Sequence, residues 1–88
     1  MIELKEVLST IVKPIVTKPE EVNITEKTSG RDVLLCLSVA PDDMGKVIGR
    51  HGKIAKAIRS VMKAAAVIAD VHVRVDILDR DEMVAEEN

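Results

Sequence analysis

Two glycines three positions apart frame a basic pair in the run Val47-Ile48-Gly49-Arg50-His51-Gly52-Lys53-Ile54-Ala55-Lys56-Ala57-Ile58-Arg59, with an apolar helical pattern on either side. These residue types suit the grip of an anionic chain. Glycine has no Cβ, so the main chain at Gly49 and Gly52 can turn sharply and let phosphate and sugar approach its N–H groups. A helix starting at Gly52 aims its unpaired amides and the positive end of its dipole at the same point. Catalysis has less to work with. His51 is flanked only by basic and apolar residues, so it reads as a backbone contact or as solvent-exposed filler, not as an acid or base. His72 is too isolated to suggest a metal site. With no nucleophile beside a base, no metal constellation and no P-loop, no catalytic, metal-ligating or cofactor-binding residue is assigned, and an enzyme is the least favoured class.

The charges around the bend support the same partner. From Met44 to Ala69 the chain carries Lys46, Arg50, Lys53, Lys56, Arg59 and Lys63 and no Asp or Glu, a segment of +6. Seven basic and fifteen acidic residues make the remainder −8, which restores the net charge of −2. An acidic body with one basic surface steers a polyanion to that surface alone. An ordinary solvated helix face also carries lysines, but 26 residues without a carboxylate are unlike one.

At 88 residues, 47% apolar and 32% charged, the chain has the size and balance of one small soluble domain. The domain is expected over residues 1–79, followed by a loose acidic tail over 80–88. No apolar stretch is long enough for a bilayer, and Met1-Ile2-Glu3-Leu4-Lys5-Glu6 lacks the pattern of a secretory signal, so a cytoplasmic protein without membrane contact is expected. Cys36 is the single cysteine, which excludes an internal disulfide and fits a buried, inert thiol within a run of strand-forming residues. Phe, Tyr and Trp are absent, which argues against the RNA-binding folds that stack bases on aromatic rings.

Ile2, Leu4, Val7, Leu8, Ile11, Val12 and Ile15 recur at helical spacing and predict a helix over about residues 2–16, with Pro14 in its last turn. Val22 to Glu26 and Val33 to Val39 read as strands of a hairpin around the turn residues Thr28 to Arg31. Ala40-Pro41-Asp42-Asp43 opens a short helix that ends at the glycine bend. A second helix runs from Gly52 or Lys53 to about Ile68. Asp70 breaks it, and Val71 to Ile77 alternates as a half-buried strand with Val71, Val73, Val75 and Ile77 inward and His72, Arg74 and Asp76 outward. The class is α+β, in the order helix, strand, strand, helix, helix, strand.

Val47-Ile48-Gly49-Arg50-His51-Gly52 followed by Ile54 and Ile58 resembles the GXXG loop of KH domains, and the element order resembles their type II, prokaryotic form. The string from Ala40 to Arg59 is similar to that of the small stand-alone bacterial KH proteins of the KhpA (YlqC-like) family. The resemblance spans nearly the whole chain. It implies a three-stranded sheet covered on one face by three helices, and a grip on about four nucleotides of single-stranded RNA, or of single-stranded DNA in vitro. By that resemblance Gly49, Arg50, His51 and Gly52 form the clamp, with Lys46, Lys53 and Lys56 beside it. Ile48 either lines the groove for bases or packs in the core. The resemblance further implies an RNA chaperone or post-transcriptional regulator that pairs with a KhpB (Jag/EloR-like) protein and acts in cell elongation and cell-wall homeostasis. A structural adaptor that uses the same fold without physiological RNA binding is the competing reading.

The helix after the bend is apolar over a wide arc. Projected at about 100° per residue, Ile54, Ile58, Val61, Ala65 and Ile68 form a stripe predicted to face the core. Ala55, Met62 and Ala66 form an extra apolar shoulder. That shoulder, with Arg59, is assigned either to a dimer interface, with a second copy or a related partner, or to packing beneath the first helix.

Overall fold

The computed structural model describes residues 3–78. Leu4, Leu8 and Val12, spaced by four, form the buried side of helix α1 (Leu4–Val12). The spacing predicts a longer helix, and Pro14 is the reason it stops early: it has no amide to donate and its ring crowds the preceding turn. The amides of Ile15 and Val16 both close on the carbonyl of Val12, at 2.9 and 3.3 Å, so that Val16 still enters the core. The predicted start at residue 2 and the acidic tail lie outside the described residues.

Strand β1 (Asn23–Ser29) pairs antiparallel with β2 (Asp32–Ser38) across the two-residue turn Gly30–Arg31. Thr28 and Ser29, which read as turn residues, are strand because Val33 and Asp32 stand opposite them. Strand β3 (His72–Leu78) lies on the other side of β2 and runs parallel to it, with Leu35 opposite Val75. A parallel pair needs a long crossover. Helices α2 (Met44–Ile48) and α3 (Lys53–Ala69), with the glycine bend between them, supply it.

Alternation along β2 sorts its side chains by face. Val33, Leu35 and Leu37 are buried and join Leu8, Val12, Val47 and Val75 in one core beneath the helices. Leu34 and Cys36 point to the opposite face and are half-buried, so Cys36 is less enclosed than its run of strand formers suggested. On β3, Val75 is buried while His72 and Arg74 are exposed, following the predicted alternation. The architecture is α+β, a three-stranded mixed sheet with three helices.

Helix α3 follows its predicted span but not its predicted phase. Its buried residues are Ala55, Ile58, Met62 and Ala66, whereas Ile54, Val61 and Ile68 are 38%, 49% and 75% exposed. The helix is therefore turned about a quarter-turn from the expected stripe. Small side chains explain the choice: Ala55 and Ala66 let the helix approach its neighbours closely, and the unbranched Met62 fills the remaining gap. The residues assigned to a dimer shoulder are thus core. Arg59 reaches β3 instead, where its Nε donates to the carbonyl of Val75 at 3.1 Å.

One buried carboxylate ties the chain after α1 to the start of α2. Asp43 accepts from the amide and hydroxyl of Thr17, at 3.0 and 2.8 Å, and from the amide of Lys18 at 3.1 Å. The Thr17 amide, then the Thr17 hydroxyl, the Lys18 amide and the charge of Lys46 hold its carboxyl below the ordinary value, against the opposing effect of burial. A depressed folded value contributes stability that is complete above the unfolded value of about 3.9 and is lost as pH falls through the folded one. Asp43→Asn is expected to unfold at lower urea than the wild type at pH 7, with the gap narrowing below about pH 4. A gap that does not change with pH would contradict an ionised latch.

Candidate nucleic-acid interface

The bend is built from three departures from ordinary backbone within four residues. Gly49 has φ 74° and ψ 175°, a region open essentially to glycine alone, and its amide closes α2 on the carbonyl of Gly45 at 2.9 Å. His51, at φ 58° and ψ 24°, and Gly52, at φ 74° and ψ 15°, are both left-handed. The two glycines are special for different reasons. A Cβ on Gly49 would collide with the side chain of Ile54 and sit 2.9 Å from its amide nitrogen, whereas a Cβ on Gly52 meets nothing within 4 Å. Gly49 is thus required for the bend to lie against the first turn of α3. Gly52 keeps its surroundings open.

Helix α3 begins with no side-chain cap and no acidic residue in its first turn. The amides of Gly52 and Lys53 already bond the carbonyls of Gly49 and Arg50, so the pull of this helix end on an outside anion comes from its dipole and the cations around it. Arg50 and His51 are exposed at the tip of the bend, and Lys46, Lys53 and Lys56 are exposed beside it. Ile48 and Ile54 are each 38% exposed, which leaves an apolar floor next to the basic rim. The expected clamp residues are thus contiguous along an accessible bend, and Ile48 is part-exposed rather than enclosed in the core.

That surface extends further than the motif. Lys56, Arg59 and Lys63 follow one another at intervals of three and four, so they form a cationic ridge along α3. The ridge leads to a cleft of about 320 Å³ between α3 and the outer edge of β3, lined by Arg59, Lys63, Val73, Arg74, Val75 and Asp76. Arg74 pairs with Asp76 at 3.2 Å. The spacing of the cations is visible in the sequence, but the cleft is not, because it exists only once β3 lies parallel to β2 and next to α3.

A bend of bare backbone between two helices, set over a mixed sheet of this order, defines a type II KH domain. The chain belongs to the KhpA/KhpB KH-domain family, whose description matches residues 5–77. It is 52% identical over 75 residues to the RNA-binding protein KhpA of Clostridium acetobutylicum, an alignment covering 85% of this chain and 100% of that protein. The KhpA of Clostridium perfringens is 48% identical with the same coverage. That of Streptomyces coelicolor is 44% identical over 78 residues, 89% of this chain and 95% of the relative. No solved structure matches the chain significantly. No described helix is long and apolar enough to cross a membrane.

The two glycines should respond differently to alanine. Gly52→Ala is expected to cost only the left-handed penalty of about 1 kcal/mol. Gly49→Ala adds the collision with Ile54 and should cost clearly more, about 2–4 kcal/mol. Urea midpoints measured on both variants check the order, and equal losses would show that the bend does not depend on contact with Ile54.

Proposed function

We propose that this protein binds single-stranded RNA, with the Gly49–Gly52 bend holding the backbone and the ridge of Lys56, Arg59 and Lys63 guiding the strand onward. The observation that carries this reading is the positive-φ backbone at Gly49, His51 and Gly52 opening directly onto the start of α3, where no side chain caps the helix. Such a site suits phosphate, and the segment holding it has six cations and no acid. The names of the KhpA relatives agree with it. Single-stranded DNA offers the same phosphates and is expected to bind in vitro.

In this reading the protein is a cytoplasmic RNA chaperone or post-transcriptional regulator, without enzymatic activity, that works with a KhpB-like partner in cell elongation and cell-wall homeostasis, as the family resemblance implies. Gly52→Asp is the informative variant. It has open space around it, and Asp is among the residues that tolerate left-handed backbone. Its carboxylate would face the phosphates, so affinity for a short unpaired RNA should fall at least about tenfold in a gel-shift titration, with helical content retained. Unchanged affinity would favour the adaptor reading.

Self-association belongs to the same proposal, on a different face from the one expected. Ile54, Ala57, Val61, Ala64 and Ile68 are exposed at intervals of three, four, three and four, the spacing of a two-helix seam. Val61 also borders a shallow groove with Val7, Thr10 and Ile11 of α1. A second copy seated there would present two clamps and raise affinity through effective concentration, which matters in a protein with no aromatic ring for stacking. Val61→Asp is expected to give a monomer in sedimentation with its fold intact. An unchanged mass would rule this seam out.

A further inference from the structure

The densest run of acid in the chain is residues 79–88, which follow β3 and lie outside the described residues. Asp79, Asp81, Glu82, Glu86 and Glu87 against Arg80 give this segment a charge of −4, while twelve basic and ten acidic residues make residues 1–78 +2. We propose that the acidic segment occupies the cationic bend when no nucleic acid is bound, and that a strand must displace it to reach Arg50, Lys53 and Lys56. The displacement rests on the reading of the protein as a binder of single-stranded RNA. The docking does not.

The fold delivers the segment to that place. Helix α3 runs back along β3: Val67 borders one cleft with Val71 and His72, and eight residues earlier Arg59 donates to the carbonyl of Val75. Leu78 ends β3 three residues beyond Val75, or about 10 Å further at the rise of a strand. The same advance along a helix takes about six or seven residues and leads from Arg59 back to Gly52 and Lys53. Residue 79 therefore follows beside the first turn of α3, and ten residues reach up to about 35 Å.

The surface there has the opposite charge and unpaired cations. Among the described residues the ion pairs are Lys18 with Asp42, Arg31 with Asp70 and Arg74 with Asp76, which leaves Arg50, Lys53, Lys56 and Lys63 without a carboxylate. The patterns also agree. The segment sets Met83, Val84 and Ala85 between two pairs of acids, and the bend sets the part-exposed Ile48 and Ile54 among its cations. Each ion pair at such an exposed surface is weak. Tethering makes up for it, because a short connection gives an effective concentration on the order of millimolar. A lone phosphate group is then held off, whereas a strand that meets the bend and the ridge together displaces the segment.

The experiment compares the wild type with the full chain carrying Asp79→Asn, Asp81→Asn, Glu82→Gln, Glu86→Gln and Glu87→Gln, which removes the charge at constant size. Without RNA, at about 50 mM salt, the NMR amide resonances of residues 50–56 should differ between the two chains, and the difference should vanish at about 0.5 M salt. The resonances of Leu35 and Leu37 in the core should coincide throughout. In an anisotropy titration at low salt the neutral chain should bind a short unpaired RNA about three- to tenfold more tightly, the gain expected if the segment covers the bend in about two-thirds to nine-tenths of molecules. Resonances of residues 50–56 that coincide at low salt overturn the proposal, even with tighter RNA binding, which would then be bulk repulsion. Shifted resonances with unchanged affinity overturn the displacement. If neither chain binds the RNA, the RNA-binding reading falls, and the resonances still decide whether the segment docks.

Discussion

Between Gly49 and Ile54 there is no room for a side-chain carbon, and the direction of α3 depends on that absence. The carbonyl of Gly45 ends α2 at Gly49, and the chain must then reverse within three residues to begin α3 at Lys53. Only a backbone that can lie against the first turn of the new helix permits so short a passage. The exposed tip of Arg50 and His51 and the heading of α3 toward β3 both follow from this one contact. The exposed bend is a product of close packing, not a flexible loop laid over a finished fold.

Because α3 is held at its start, its three faces are sorted with little freedom left. One face carries Ala55, Ile58, Met62 and Ala66 into the core. A second, bearing Lys56, Arg59 and Lys63, turns toward the edge of β3. The third exposes Val61, Ala64 and Ile68 near α1. The basic and the apolar faces lie on opposite flanks of the buried one.

Asp43 gives the bend support from the other end. It reads in the sequence as one of two acids in the first turn of a helix, which is where such residues are common. In the structure it is enclosed and accepts three hydrogen bonds from Thr17 and Lys18, 26 and 25 residues away along the chain. Local reasoning explains a carboxylate at that position. It does not explain why this one is buried, whereas Asp42, its neighbour, is exposed and pairs with Lys18 at the surface.

The sequence by itself determined the order of the elements, the bend and its cations, because those depend on residues close along the chain: glycine where the backbone must turn, alternation along β3, and a long stretch without acids. It also placed Lys46, Lys53 and Lys56 close along the chain to the bend, since all lie within four residues of Gly49 to Gly52. Tertiary structure decided the phase of α3. A helix apolar over a wide arc can bury either of two stripes, and only contacts with α1, β3 and the Gly49 backbone make Ala55, Met62 and Ala66 the inner ones. It likewise decided the partner of Arg59, which is a carbonyl on a strand that pairing with β2 brings alongside. Charge and spacing are properties of neighbouring residues, whereas close approach and edge contacts exist only between segments that folding has brought together.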